Sequence, residues 1–295
     1  MSTTTAGTVV FEHVAKRFAG FTAVPDLSLT VEAGTLVTLL GPSGCGKTTT
    51  LRLLAGLEHP SAGRIFIGGK DVTHLPANKR DVAMVFQSYA LFPHMSALEN
   101  VKYGLLSGGI SQREARDRAR EGLKLVGLEN QGDRLPSELS GGQQQRIAVA
   151  RALVLEPQVL LLDEPLSNLD ERLRRRVRTD IRDLQQRLGF TAVYVTHDQE
   201  EALAVSDKII VMQEGKIAQQ GAPETLYRSP NSVFIADFMG EANILACEVE
   251  SLEGDEALVR LGRQLYRVPA AARCPEKRSF PCGRSLLRCI PPAKV

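Results

Sequence analysis

Residues 41 to 48 read Gly-Pro-Ser-Gly-Cys-Gly-Lys-Thr, between the apolar run Leu36-Val37-Thr38-Leu39-Leu40 and the helix-like Thr48-Thr49-Thr50-Leu51-Arg52-Leu53-Leu54. The spacing G-x-x-x-x-G-K-[ST] between a strand and a helix is that of a phosphate cradle. Gly41, Gly44 and Gly46 let the chain take positive φ and turn successive backbone N–H groups onto one anion, and the helix adds its positive N-terminal end. Lys47 is then placed to reach β- and γ-phosphates, and the Thr48 hydroxyl to hold Mg²⁺. The Cys45 thiol, next to a helix start and Lys47, is expected to be open to a maleimide in the empty loop and covered once phosphates and their Mg²⁺ are bound.

Val159-Leu160-Leu161-Leu162-Asp163-Glu164 is an apolar strand that ends in two acids. By itself this ending also marks a strand that meets solvent. Beside a phosphate loop it places Asp163 to hold Mg²⁺, directly or through water, and Glu164 to polarise the water that attacks a γ-phosphate. Leu139-Ser140-Gly141-Gly142-Gln143-Gln144-Gln145-Arg146 opens another helix. Ser140 can cap it, and two glycines leave N–H groups unhindered at its positive end, which makes a second anion site.

These groups need a frame. Val9 to Val14 and Leu27 to Val31 alternate like half-buried strands and predict an antiparallel start; Arg64 to Gly69 and Val82 to Gln87 read as further short strands. From Ser96 to about Leu155 the pattern is helical, with Ser111-Gln112-Arg113-Glu114 resembling a capping box and Ala115, Ala119, Leu123 and Val126 near helical spacing. Strand and helix signals then alternate over Val159–Leu162, about Glu171 to Leu188, Thr191–Val195, Gln199–Val205 and Lys208–Met212. That order predicts an α/β fold whose mostly parallel sheet is covered on both faces, with ligand at its carboxyl edge. After a helix-like Ser232 to Met239 the alternation stops. Ala246 to Val268 gives short β-like pieces broken by Gly254 and Gly262, so a second, small β domain is expected from about Gly240.

The 295 residues, 43% hydrophobic and 24% charged, suit one large domain and a small one. A net charge of +2 argues neither for a nucleic-acid binder nor for a polyacidic partner. No apolar stretch approaches the roughly 20 residues that cross a bilayer, and the N-terminus lacks a signal core, which predicts a cytosolic chain. Five cysteines, an odd count, suit free thiols; Cys274, Cys282 and Cys289 lack zinc spacing. Arg174, Arg178 and Arg182 recur at i, i+4 and read as a solvated helix face.

The phosphate loop, Leu139 to Arg146, Asp163-Glu164, Ser167-Asn168-Leu169-Asp170 and Thr196-His197-Asp198 together closely resemble the ATP-binding subunits of ATP-binding-cassette transporters, in order and separation over roughly residues 8 to 240. The resemblance implies a nucleotide-binding domain over 1–239, with an antiparallel β subdomain and a helical subdomain at about 92–155, followed by a small, partly OB-like β regulatory domain over 240–295. It implies a head-to-tail dimer in which the phosphate loop of one subunit and Ser140, Gly141, Gly142 and Gln143 of its partner bind one ATP. The loop's share of that set is Gly41, Pro42, Ser43, Gly44, Cys45, Gly46, Lys47, Thr48 and Thr49. Glu164 becomes the catalytic base, His197 the γ-phosphate switch, and Asp170 a dimer contact. Gln87 becomes the sensor of Mg²⁺ and attacking water beside a transmembrane partner, and Phe18 the ring that stacks on adenine.

Gln87 to Ser96 and Thr196 to Ala202 look like the importer branch, whose ATPase is separate from its two permease subunits and lies on the cytoplasmic face of the membrane. Within it, Val37 to Leu40, Gln87 to Ser96 and Asn231 to Glu241 most resemble ferric-ion importer ATPases, served indirectly by a solute-binding protein; polyamine and phosphonate importer subunits are similar. A cassette protein that clamps nucleic acid is the opposing class, and near-neutral charge, a single cassette and no long coiled-coil insertion between the phosphate loop and Leu139 argue for a chain that binds none. The family's C-terminal part is usually longer, so the stretch through Arg273 to Arg284, without strand or helix periodicity, reads as a truncated or out-of-frame tail.

Overall fold

A parallel strand covered on both faces is apolar throughout, and Leu36–Leu40 is buried at every position. The computed structural model describes residues 6–240, 243–254, 256–269 and 284–289. In chain order the elements are β1 (Val9–Phe18), β2 (Phe21–Val31), β3 (Leu36–Leu40), α1 (Lys47–Ala55), β4 (Ala62–Ile67), β5 (Lys70–Asp71), β6 (Val82–Val85), α2 (Ala97–Ser107), α3 (Gln112–Leu125), α4 (Gly141–Leu153), β7 (Val159–Asp163), α5 (Glu171–Leu188), β8 (Thr191–Thr196), α6 (Gln199–Val205), β9 (Lys208–Gln213), β10 (Lys216–Gly221), α7 (Pro223–Arg228), α8 (Val233–Phe238), β11 (Asn243–Glu253), β12 (Glu256–Leu261), β13 (Gln264–Pro269) and β14 (Arg284–Cys289).

The central sheet runs β10-β9-β3-β8-β7-β6. β3 pairs in parallel with β8 and β9, and β7 with β8 and β6. Alternation divides its side chains between two cores. Val37, Leu39, Val159, Leu161, Val193 and Val195 pack with α1 (Leu51, Leu53, Leu54) and the antiparallel sheet β2-β1-β4-β5, which contributes Val9, Phe11, Leu29 and Ile65. Leu36, Leu160, Leu162, Ala192 and Tyr194 face the other way, onto the helices, with Ile147 and Val149 of α4 and Val177 and Ile181 of α5. The antiparallel start and the mostly parallel sheet therefore form as expected, and the sequence limits for α5 and α6 coincide with those observed.

Two buried polar side chains fix the ends of the site-bearing segments. Arg80 is 6% exposed and donates from Nη1 to Leu53 O and Leu54 O at 2.6 and 2.9 Å, closing the C-terminal end of α1. Asn100, fully buried in α2, accepts from Phe92 N at 2.8 Å and donates to Phe92 O, Met95 O and Ser96 O at 3.0–3.1 Å. It thus ties the stretch after Gln87 to α2. Asn100→Ala leaves those buried groups short of a partner and is expected to lower stability by about 2 kcal/mol, read from urea unfolding midpoints; an unchanged midpoint contradicts this role.

Helix starts follow side-chain chemistry, with one correction. Ser96 with Glu99 and Ser140 with Gln143 form complete capping boxes. At α3 only half of the expected box exists. Ser111 accepts from Glu114 N, but the Glu114 carboxylate turns to Arg118, 2.7 Å away one turn on. Ala115, Ala119, Leu123 and Val126 are buried as expected.

The chain divides into two compact units, up to Ile217 and from Ala218, the division falling within β10. Gly240, the expected start of the β domain, lies inside the second unit, between α8 and β11. There β13-β12-β11-β14 form an antiparallel sheet around Cys247, Ala257 and Val259, with turns at Gly254 and Gly262 in left-handed conformation. β10 and α7 had no counterpart in the sequence reading. Cys274, Cys282 and most of the stretch 273–284 lie outside the described residues.

Candidate active site

The glycine loop joins β3 to α1 with little tolerance for side chains. Gly41 has φ 153°, and a Cβ there would stand 2.3 Å from Met212 O and 2.7 Å from Cys45 Sγ. Gly46, at φ 101°, is the N-cap of α1. Pro42, Ser43 and Gly44 are exposed on the outer turn, and Thr48 and Thr49 are half-buried in the first turn of α1. Lys47 is 5% exposed; its ammonium donates to Gly41 O at 2.7 Å and Pro42 O at 3.0 Å. A cation is thus held inside a ring of backbone at a helix start, the arrangement that receives phosphate oxygens.

The loop corrects one expectation. Cys45 is 3% exposed and belongs to the core beneath α1, so its thiol points away from solvent. The loop must turn its side chain at 45 inward to bring Gly46 and Lys47 round. Maleimide labelling of Cys45 in the folded chain is accordingly expected to be slow with and without MgATP, at least about tenfold slower than in denaturant, followed by mass spectrometry. Fast labelling that MgATP suppresses would restore the open-thiol geometry.

Asp163 ends β7 and Glu164 follows it at φ 43°, a strained conformation for a side-chain-bearing residue. The strain is held by Glu164 N donating to Val195 O at 3.0 Å and by Ser167 Oγ donating to Glu164 O at 3.0 Å. Burial, and then the neighbouring Glu164 charge, push the Asp163 carboxyl above its ordinary range, against Arg52 and Lys47. His197 Nδ1 lies 3.3 Å from Glu164 Oε2, and its ring is 59% exposed. Glu164, Ser167, Arg174, Thr196, His197, Asp198 and Glu201 line one small cleft of about 70 Å³.

Behind His197, Glu201 Oε2 accepts from Tyr194 OH at 3.0 Å and Thr196 Oγ1 at 2.8 Å, and Asp198 N donates to Thr196 Oγ1 at 3.0 Å. Burial, and then the Glu201 charge, push the Tyr194 phenol well above its usual value, which keeps it a donor. Arg174 and Arg182 correct the solvated-face reading. Arg174 turns to Leu166 O, Leu169 O, Asp198 and Glu201, while Arg182 donates to both Asp207 oxygens at 2.5 and 3.0 Å. Spacing of i, i+4 establishes a shared face but leaves open what that face meets.

Ser140, exposed, accepts from Gln143 N at 3.4 Å, and Gln143 Oε1 accepts from Ser140 N at 2.9 Å. Gly141 and Gly142 pass close to Leu169 and Leu173, where a Cβ would meet methyl carbons at 3.0 and 2.9 Å. The start of α4 is thereby seated on the segment that holds Asp170. Asp170 caps α5, accepting from Leu173 N at 3.0 Å. Gln87 is exposed, and its carbonyl accepts from Asn168 Nδ2 at 2.9 Å. Phe18 is 37% exposed at the end of β1 and stacks on Phe21 with ring centroids 5.3 Å apart.

Sequence reasoning missed several positions. Gln144 Nε2 donates to Pro136 O and Leu139 O, fixing the entry to α4. Arg151, in the same helix, holds Ala90 O at 2.7 Å and Tyr89 O at 2.9 Å, both residues having positive φ. An arginine on an otherwise apolar helix stretch, Ile147 to Leu153, was the available signal.

The family model described as ABC transporter matches residues 24–167. The Fe(3+) ions import ATP-binding protein FbpC of Agrobacterium fabrum is 76% identical over 268 residues, 91% of this chain and 76% of that protein. The protein of the same name from Brucella abortus (strain 2308) is 76% identical over 264 residues, 90% and 75% of the two chains. That from Photobacterium profundum is 60% identical over 236 residues, 80% and 67% of the two. A solved dimer of an ATP-binding cassette in a post-hydrolysis state, bound to ADP and Pi, superposes with a TM-score of 0.64 at 32% identity, covering 73% of this chain and 98% of that one.

Proposed function

Because the chain belongs to the ATP-binding subunits of ATP-binding-cassette transporters, we propose that it hydrolyses ATP to drive import of ferric iron through two membrane permease subunits. The observation that carries the ATPase reading is the buried Lys47 ammonium inside the glycine loop, in a chain whose acid pair Asp163-Glu164 leads to His197. The iron cargo is supported by the relatives named Fe(3+) import proteins, at up to 76% identity. No helix among the described residues is long and apolar enough to cross a membrane. The place of work is the cytoplasmic face of that membrane, downstream of a ferric-ion-binding protein. Residues 1–239 act as the nucleotide-binding domain, with 92–155 its helical part, and the β sheet beyond 240 as a regulatory attachment.

The donor set fits Mg²⁺. Thr48 hydroxyl and Asp163 carboxylate are hard oxygen donors, and among the described residues no cluster of three or more His, Cys, Asp or Glu forms a metal cage. Mg²⁺ is held by one or two carboxylates together with substrate phosphates, and Asp163, crowded by burial and Glu164, is the carboxylate such a charge relieves. Thr48 and Asp163 would hold it and Gln87 approach its coordination sphere. When bound, it neutralises charge developing on the phosphoryl oxygens.

The chain's own groups do the rest. Lys47 exchanges loop carbonyls for phosphate oxygens, and the backbone N–H groups of residues 43–49 line the phosphates. Phe18 stacks on the base. Glu164 accepts a proton from the attacking water, and His197, 3.3 Å from Glu164, orients on the γ-phosphate. In a head-to-tail pair, Ser140, Gly141, Gly142 and Gln143 of one copy cover the phosphates held by the other, and Asp170 joins the contact.

Co-expression with a pair of candidate permease subunits tests the whole reading. Inside-out vesicles carrying the complex should take up radiolabelled ferric iron, supplied with its binding protein, only with MgATP on the cytoplasmic face. Uptake of a polyamine or phosphonate instead, with iron inert, would move the cargo assignment.

A further inference from the structure

Arg174 stands one turn into α5, directly after the loop that begins at Glu164. Its Nη2 donates to Leu169 O at 3.1 Å and its Nε to Leu166 O at 3.4 Å. The same guanidinium faces the turn that carries His197, with Asp198 Oδ2 at 3.8 Å from Nη1 and Glu201 Oε1 at 3.7 Å from Nε. Nη1 also lies 3.3 Å from Glu171 Oε2.

The two carboxylates on the His197 side are already half committed. Asp198 Oδ1 accepts from Glu201 N at 3.0 Å, and Glu201 Oε2 accepts from Tyr194 and Thr196. Each therefore offers its second oxygen to Arg174. On the loop side, Ser167 closes one end of the segment onto Glu164 O, and Arg174 takes the carbonyls at Leu166 and Leu169. Thr196 and Asp198, either side of His197, are fixed by this web, while the ring itself reaches Glu164.

We propose that Arg174 is a positioning residue that joins the Leu166–Asp170 loop and the His197 turn into one mechanical unit. The inference deepens the reading above and rests on it for its consequence: the loop that would meet the partner subunit and the group that would meet the γ-phosphate move together, so closure of a dimer registers at the Glu164–His197 pair. A planar guanidinium with five N–H donors can serve two carbonyls and two carboxylates at once. A lysine keeps the charge but not this reach.

The test uses the full chain with Arg174→Lys and, as a comparator on the same helix, Arg182→Lys, which alters the contacts with Asp207 and Gln185 and none with the Leu166–Asp170 loop. Hydrogen exchange is followed without nucleotide in peptides covering residues 164–171 and 194–202, beside ATPase kcat, KM for ATP and urea unfolding. Arg174→Lys should raise exchange in both peptides together by about threefold or more. It should lower kcat by about tenfold with KM and the unfolding midpoint little changed, while Arg182→Lys leaves both peptides and kcat near wild type. Faster exchange confined to 164–171, or a kcat within twofold of wild type, overturns the coupling. A wild-type chain without ATPase activity would instead overturn the functional reading, and the exchange measurement would still decide whether the two segments are joined.

Discussion

Glu164→Gln is expected to bind MgATP with near-normal affinity and to hydrolyse it about 10²–10⁴-fold more slowly, the range assigned to general-base catalysis. The substitution preserves shape. Glutamine carries the same number of heavy atoms, and the backbone bonds that hold position 164 at φ 43°, from Val195 O and Ser167, do not involve the carboxylate. The amide oxygen can still face His197 Nδ1 across 3.3 Å, so the cleft keeps its form. Only the capacity to take a proton from water is lost. If hydrolysis opens an ATP-closed dimer, the variant should accumulate as a dimer in MgATP, visible as a doubled mass in sedimentation, and return to monomer when nucleotide is removed. Turnover within about twofold of wild type would remove Glu164 from proton transfer; slow turnover with lost ATP binding would mean that the carboxylate matters to the cradle instead.

What the sequence revealed and what it hid follow from how each feature is encoded. Val159–Leu162 and Leu36–Leu40 were legible because a strand buried on both faces leaves a near-continuous apolar run, broken in the second only by the buried Thr38. α5 was legible because Asp170 caps its start and Gly189, at φ 67°, ends it. β10, Lys-Ile-Ala-Gln-Gln-Gly, has no alternation to read, and the six residues of α7 bury only Leu226, too little for a helical period. In the site, the glycines and Lys47 were legible because their backbone geometry demands those residue types. The direction of Cys45 was not, since a side chain in an irregular loop follows no period. Nor was the work of Arg174, Arg151 and Glu201 visible, because their partners are backbone carbonyls and acids distant in sequence that only the folded sheet edge brings together.

Ser140→Arg is expected to leave nucleotide binding by the single chain intact while hydrolysis falls by about 10²-fold or more, the loss typical when a phosphate-facing donor is removed and its place filled. The local cost is small. The capping hydroxyl on Gln143 N is worth about 1 kcal/mol, and α4 stays anchored by Ile147, Ala148, Val149 and Leu153 in the core. Ser140→Ala, which removes the same cap without adding bulk, separates that cost from obstruction and should remain the more active of the two. The decisive arrangement mixes Ser140→Arg chains with Lys47→Ala chains, each inactive alone. In a head-to-tail dimer the mixed pair holds one site built from an intact Lys47 loop and an intact Ser140 helix start, and one site damaged on both sides. Half of the dimers in an equal mixture are mixed, so independent sites would restore about a quarter of wild-type hydrolysis, and each mixed dimer would trap one nucleotide. Mixtures that neither hydrolyse nor trap ATP would show that the phosphate loop and Ser140 act within one chain, and the shared site would have to be abandoned.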